Sequence, residues 1–227
     1  MERLIKSVAV LGAPKCSTSY LGKFFESSDN FSIVRHPSNR LECYDNIFKV
    51  QDLEYKFAKT PKWIFSKSEI DRLVHFYKIS NVNSLFVICV REYNHLLKSF
   101  YTMRLREWPT RYNDVCFTDW VDLPSLEYPE KSYGQLVLSL RENIRYLVGK
   151  IKEINNIKLT LLTDEIVSSN STLEIFSSLG VDIFHSNYKF TEHYHNTHCG
   201  ENLNNKFTDH FNELVNDEVI KDYIWQK

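Results

Sequence analysis

The sequence predicts an α/β fold in three layers, α/β/α, built on a central parallel sheet. Three observations carry that reading. Leu85–Val90 is an unbroken apolar run with β-branched residues, as expected of a strand buried on both faces. Val8–Leu11 is a second run of the same kind. Each leads through a polar turn into an amphipathic helix, and the alternation repeats along the chain. Strands alternating with helices form a parallel sheet covered on both sides.

Element by element, the pattern predicts a strand over 7–11 and a helix over 18–27. A strand over 31–35 follows, then a loop and a helix near 45–58. A short strand at 62–66 precedes a helix at 68–78, with Ser68 as its N-cap and Glu69 in its first turn. The strand at 84–90 feeds a helix at 93–105 whose apolar face is Leu96, Leu97 and Phe100. A long irregular segment spans 106–131. The remaining elements are a helix at 133–153, a strand at 157–163, a helix at 170–179 stopped by Gly180, and a helix at 205–223.

The 227 residues, 43% hydrophobic, suit a single domain over 1–227. There are no repeats and no Gly/Ser-rich linker. No apolar run approaches 18 residues and the N-terminus lacks a signal peptide's cleavage region, so a cytoplasmic protein without a membrane span is expected. Cysteines 16, 43, 89, 116 and 199 are scattered, without a CxxC pair, as in reduced thiols. A formal charge of −1 argues against a nucleic-acid partner. The local cluster Arg104, Arg106 and Arg111 reads as a solvated surface or as a contact for a polyanion.

The most informative stretch is the turn after the first strand, Gly12-Ala-Pro-Lys-Cys-Ser-Thr-Ser19. A loop that ends on a helix N-terminus aims backbone N–H groups at one point, which favours an anion. Lys15 adds a cation, and Ser17, Thr18 and Ser19 add hydroxyls. The Walker pattern does not fit: aligned on Gly12, Ser17 and Thr18 stand where Gly-Lys is required. Read as Pro-Lys-x-Ser-Thr-Ser, the loop resembles the 5′-phosphosulfate loop of sulfotransferases, usually Pro-Lys-x-Gly-Thr-Thr. Ser17 occupies the glycine slot. Downstream, Arg91, Ser99 and Tyr101 match in spacing the family's Arg-x-Pro-x-x-x-x-x-Ser-x-Tyr, with Tyr93 in place of the proline. The stretches 132–147 and 157–181 also resemble the carbohydrate-type and bacterial branch.

The resemblance implies a sulfotransferase that uses 3′-phosphoadenosine 5′-phosphosulfate (PAPS) and releases adenosine 3′,5′-bisphosphate (PAP), with no metal required. It implies that Lys15, Cys16, Ser17, Thr18 and Ser19 line the phosphosulfate site and that Arg91 and Ser99 bind the 3′-phosphate. For the general base, Glu42 is favoured, with His36 and Asp45 as alternatives. His36-Pro37 and Glu42 match the His-Pro…Lys-Glu segment of carbohydrate-type enzymes, Leu41 replacing its lysine. Glu42 could instead simply pair with Arg40 or Arg35, and His36 could cap a turn. Ser66 and Ser68 are further candidates, and Tyr133, Trp108 and Trp120 are candidate walls for an acceptor. His193, His195, His198 and Cys199 have metal-ligand side chains but match no zinc spacing, so a polar loop is expected there. The expected acceptor is a hydroxyl or amine of a glycan, glycolipid or small alcohol. A P-loop kinase or NTPase, and a non-catalytic nucleotide-binding relative, are the alternatives.

Overall fold

The computed structural model describes residues 4–167, 172–185, 203 and 205–225. It is an α/β structure with a five-stranded, all-parallel sheet flanked by helices, in the order β2-β3-β1-β4-β5. In chain order the elements are β1 (Ser7–Gly12), α1 (Thr18–Glu26), β2 (Ser32–Ile33), β3 (Lys56–Lys59), α2 (Lys67–Ser80), β4 (Ser84–Val90) and α3 (Tyr93–Glu107). There follow α4 (Pro109–Tyr112), α5 (Phe117–Asp122), α6 (Tyr133–Leu138), α7 (Leu140–Ile151), β5 (Ile157–Thr163), α8 (Asp164–Val167), α9 (Thr172–Ser178) and α10 (Lys206–Val215).

Strands β1 and β4 are buried at every residue, which is why both are plain in the sequence. Crossovers that leave the centre in opposite directions put helices on opposite faces. One face carries α1 and α9, where Phe24 stacks on Phe176 at 5.8 Å. The other carries α2 and α7, joined by Tyr146 donating to Asp71 at 2.7 Å. No helix among the described residues is long and apolar enough to cross a membrane.

Several expected elements differ. The helix near 45–58 is instead a 3-10 turn, Tyr44–Lys49, followed by strand β3. Only Phe57 and Ala58 of that strand are apolar, and neither is β-branched, so local pattern hides it. Its pairing with β1 (Ala9 beside Ala58, Val10 beside Lys59) decides it. The strand expected at 62–66 is a 3-10 turn, Trp63–Phe65, whose apolar side chains are buried. Ile64 packs so tightly on Gly12 that a Cβ there would collide with it.

The 106–131 segment contains α4 and α5. The helix expected at 133–153 is interrupted at Ser139, and α6 begins in a capping box of Ser132 with Gln135. The helix at 170–179 is α9, and Gly180 ends it at φ 81°. The helix at 205–223 is α10 plus a short 3-10 turn, Lys221–Tyr223. Ser66, not Ser68, is the N-cap of α2. The chain then returns to the sheet edge, where the Trp225 N–H donates to the Leu161 carbonyl at 3.0 Å.

Candidate functional site

The strand order creates a crevice. From β1 the chain moves toward β2, and from β4 it moves toward β5, so connections diverge between the adjacent strands β1 and β4. Loops at the carboxyl ends of such a pair part and leave room for a ligand. The Lys15 loop lies at that end of β1, and Arg91 at that end of β4.

The loop is pinned by the Ala13 N–H, which donates to the Cys89 carbonyl at 2.8 Å. Lys15 and Ser17 both adopt left-handed backbone, at φ 67° and 55°. Ser17 thus has the conformation that glycine takes most readily. Arg91 Nη1 donates to the Lys15 carbonyl at 3.4 Å and ties the two sides of the crevice together. Cys16 and Thr18 are buried, so their side chains pack the loop from behind, whereas Ser19 is exposed.

Lys59 ends β3 with only 1% of its side chain exposed. Its ammonium donates to Ser19 Oγ at 3.1 Å and pairs with Glu42 Oε1 at 2.8 Å. Three neighbouring strands therefore deliver one cation each to the same edge of the sheet: Lys15, Lys59 and Arg91. Burial pushes the Lys15 ammonium below its usual range. The charges of Arg106, Arg91 and Lys59 push it the same way, and Glu107 partly opposes them. A cluster of like charges that depresses a lysine is a place where a bound polyanion restores the balance.

Glu42 is held by its neighbours' backbone. The Cys43 N–H donates to the Lys59 carbonyl at 2.9 Å, and the Tyr44 N–H donates to Thr60 Oγ1 at 2.9 Å. Burial alone would raise the Glu42 carboxyl, but the Lys59 hydrogen bond and charge outweigh it and hold it below its ordinary value. Its ion-pair partner is Lys59; Arg35 instead pairs with Glu26. Glu42 is ionised near neutral pH and lines a cavity of about 570 Å³.

That cavity adjoins the loop at Pro14 and includes Tyr44, Lys62, Arg104, Glu107, Trp108 and Glu127 in its wall. Arg104 is buried, not a solvated surface residue. It donates to Glu107 at 2.8 Å and to Glu127, and its guanidinium lies 5.9 Å from the Tyr133 ring centroid. Tyr128 donates to the Lys62 carbonyl at 3.0 Å; burial and nearby carboxylates push its hydroxyl up to about 12. Trp108 is 51% exposed in the cavity wall. Trp120 is fully buried and stacks on Tyr133 at 4.0 Å, so that indole serves the core.

The other expected residues lie elsewhere. His36 Nδ1 bonds Ser38 Oγ at 2.7 Å and accepts from the Ser38 N–H, in a tight turn outside the cavity lining. Asp45 pairs with Arg72 at 2.7 Å on the surface. Ser66 and Ser68 bond one another at 2.8 Å at the start of α2. Ser99 is buried in α3, eight residues beyond Arg91. His193, His195, His198 and Cys199 lie outside the described residues. Among the described residues no group of three or more His, Cys, Asp or Glu could hold a metal ion.

Lys59 and the Arg104–Glu127 pair are what sequence reasoning missed. The available signal for Lys59 was a lysine at the end of a short apolar pair, just before Thr60-Pro61. No family model matches this chain. No curated protein matches it in sequence. The geometry places Lys15, Lys59 and Arg91 at the carboxyl ends of β1, β3 and β4, beside the ionised Glu42 and a partly aromatic cavity.

Proposed function

We propose that the chain is a sulfotransferase that moves a sulfuryl group from PAPS to an acceptor hydroxyl or amine in the cavity. The observation that carries this is the placement of Lys15 and Arg91 at the carboxyl ends of the adjacent strands β1 and β4, with Lys59 at the end of β3 and Arg106 close enough to bear on Lys15. A donor with a phosphosulfate and a separate 3′-phosphate presents several anionic groups, which suits several cations from different elements. The sulfotransferase-like spacing of Lys15, Arg91 and Ser99 agrees with it.

In this reading the acceptor oxygen or nitrogen attacks sulfur while the bond from sulfur to the bridging phosphate oxygen breaks. The electron pair of that bond leaves with the phosphate of PAP. Lys15 neutralises the charge that develops on it, a role typically worth about 10²–10³ in rate. The acceptor's proton passes to the Glu42 carboxylate. No carboxylate cage for magnesium is needed. A glycan or glycolipid headgroup and a small alcohol are the acceptor classes considered.

The test is titration calorimetry with PAP and, separately, ATP with magnesium. The expected result is saturable binding of PAP that weakens at least about tenfold in Arg91→Ala, in line with loss of a charged hydrogen-bond donor. Binding of ATP–magnesium with no binding of PAP would overturn the reading.

A further inference from the structure

One residue of the cavity wall holds a backbone conformation that its own side chain opposes. Among the described residues, left-handed backbone outside glycine occurs at Lys15, Ser17, Asn39, Tyr44, Tyr55 and Asn81. Asparagine enters this region readily, which accounts for Asn39 and Asn81. Lys15 and Ser17 shape the anion loop. Tyr55 uses its hydroxyl within the fold, donating to Asp182 Oδ2 at 2.6 Å. Tyr44, at φ 44°, is different. Its hydroxyl has no hydrogen-bond partner among the described residues, and it lines the cavity together with Glu42.

The surrounding contacts hold this conformation. The Tyr44 N–H donates to Thr60 Oγ1 at 2.9 Å, and the fully buried Cys43 before it donates its N–H to the Lys59 carbonyl at 2.9 Å. Asp45 after it pairs with Arg72 at 2.7 Å. The ring meets His36 edge-on with centroids 5.6 Å apart, and the Lys62 ammonium lies 4.8 Å from its centroid. Glycine or asparagine would make the same turn with less strain. A bulky aromatic kept in a left-handed turn by its neighbours marks a side chain used for something besides the fold. Burial, then the Glu42 charge, push the Tyr44 phenol above its ordinary value, so it remains a protonated donor in the same cavity as an ionised carboxylate.

We infer that Tyr44 is the specificity residue of the cavity: its hydroxyl donates to the oxygen of a ligand hydroxyl while that hydroxyl donates to Glu42, which selects an oxygen nucleophile over a nitrogen one. The inference rests on reading the cavity as the acceptor site. A hydroxyl oxygen has two lone pairs, so one accepts from Tyr44 and the other attacks sulfur. A neutral amine nitrogen has one lone pair, and a donor that occupies it blocks the attack.

The probes are 4-ethylphenol and 4-ethylaniline, which share a body, are uncharged at neutral pH and differ in the reacting atom. Both are titrated into the full chain with and without saturating PAP, and both are offered as acceptors with PAPS. In Tyr44→Phe, which keeps the ring, 4-ethylphenol is expected to bind about fivefold more weakly, the scale of one hydrogen bond. The preference for oxygen over nitrogen in kcat/KM is expected to shrink by about as much, with 4-ethylaniline within about twofold of the parent. Tyr44→Asn is expected to keep or raise the Tm while losing the same affinity, because relief of the backbone offsets the lost ring contacts. Unchanged 4-ethylphenol binding in Tyr44→Phe, an unchanged preference, no binding of either probe, or a Tm lowered in Tyr44→Asn would each overturn the inference. The PAP and PAPS arms separate the two ideas. A protein that ignores PAP and transfers nothing, yet loses 4-ethylphenol affinity in Tyr44→Phe, retains Tyr44 as the contact to a hydroxyl and loses the donor reading. One that binds PAP and transfers with the same preference in parent and variant does the reverse.

Discussion

Ser17 shows what a single residue costs at this site. Its φ of 55° is left-handed, and a residue with a Cβ is strained there by about 1–2 kcal/mol. Ser17→Gly removes the strain but adds freedom to the unfolded chain. The expected net gain is about 1 kcal/mol, or about 2–4 °C in Tm for a protein of this size, read by calorimetry. An unchanged or lower Tm would show that the serine hydroxyl makes up for its backbone. Lys59 is the opposite case, a residue whose meaning lies in its partners. The short apolar pair before Lys59 is a weak sign of a buried ammonium, and it is the β1 register that sends Lys59 toward Ser19 and Glu42.

At the scale of elements, α2 distinguishes a cap from its neighbour. The Glu69 N–H donates to Ser66 Oγ, and Ser66 has extended backbone at φ −129°, as an N-cap requires. Ser66→Ala is expected to lower stability by about 1 kcal/mol, whereas Ser68→Ala stays within about 0.5 kcal/mol. Urea denaturation of the two variants checks this; equal effects would mean that the cap contributes little. Strands β1 and β4 were legible because their apolar runs are buried on both faces, and β5 because Ile157, Leu159, Leu161 and Leu162 are buried around an exposed Lys158. The strand expected over 31–35 is the shorter β2, Ser32–Ile33, whereas β3 was not legible, since four residues without strong alternation carry too little signal. Helix 133–153 was legible as helix, but its break at Ser139 was not, because serine is tolerated both inside a helix and at its end.

For the molecule as a whole, the C-terminal part is fastened through one buried carboxylate. Asp217, with 1% of its side chain exposed, accepts from Arg141 Nε at 2.7 Å, Arg145 Nη1 at 3.1 Å and the Val219 N–H at 3.0 Å. Burial alone would raise its carboxyl, but the Arg141 hydrogen bond and the other partners hold it below its ordinary value. A depressed carboxylate stabilises the fold above its unfolded pKa of about 3.9, and that contribution is lost as pH falls through the lower folded value. Asp217→Asn is expected to cost about 2 kcal/mol at pH 7. That is less than a fully buried pair, because the arginine side chains are 35% and 50% exposed. The variant is also expected to flatten the fall in stability below about pH 4. Chemical denaturation at pH 7 and across the acid range measures both, and an unchanged acid slope would remove Asp217 from the account.

The sequence alone determined the α/β class, the central strands and the loop–helix turn that carries Lys15, since these depend on local runs of apolar residues and on turn chemistry. The tertiary structure alone decided that Lys59 joins Lys15 and Arg91, that Glu42 pairs with that lysine, and that Arg104 is buried between two carboxylates. Those contacts join residues 17 to 76 positions apart for Glu42–Lys59, Arg104–Glu127 and Arg91–Lys15. Strand order and register bring them together, and neither is encoded in any single window of the chain.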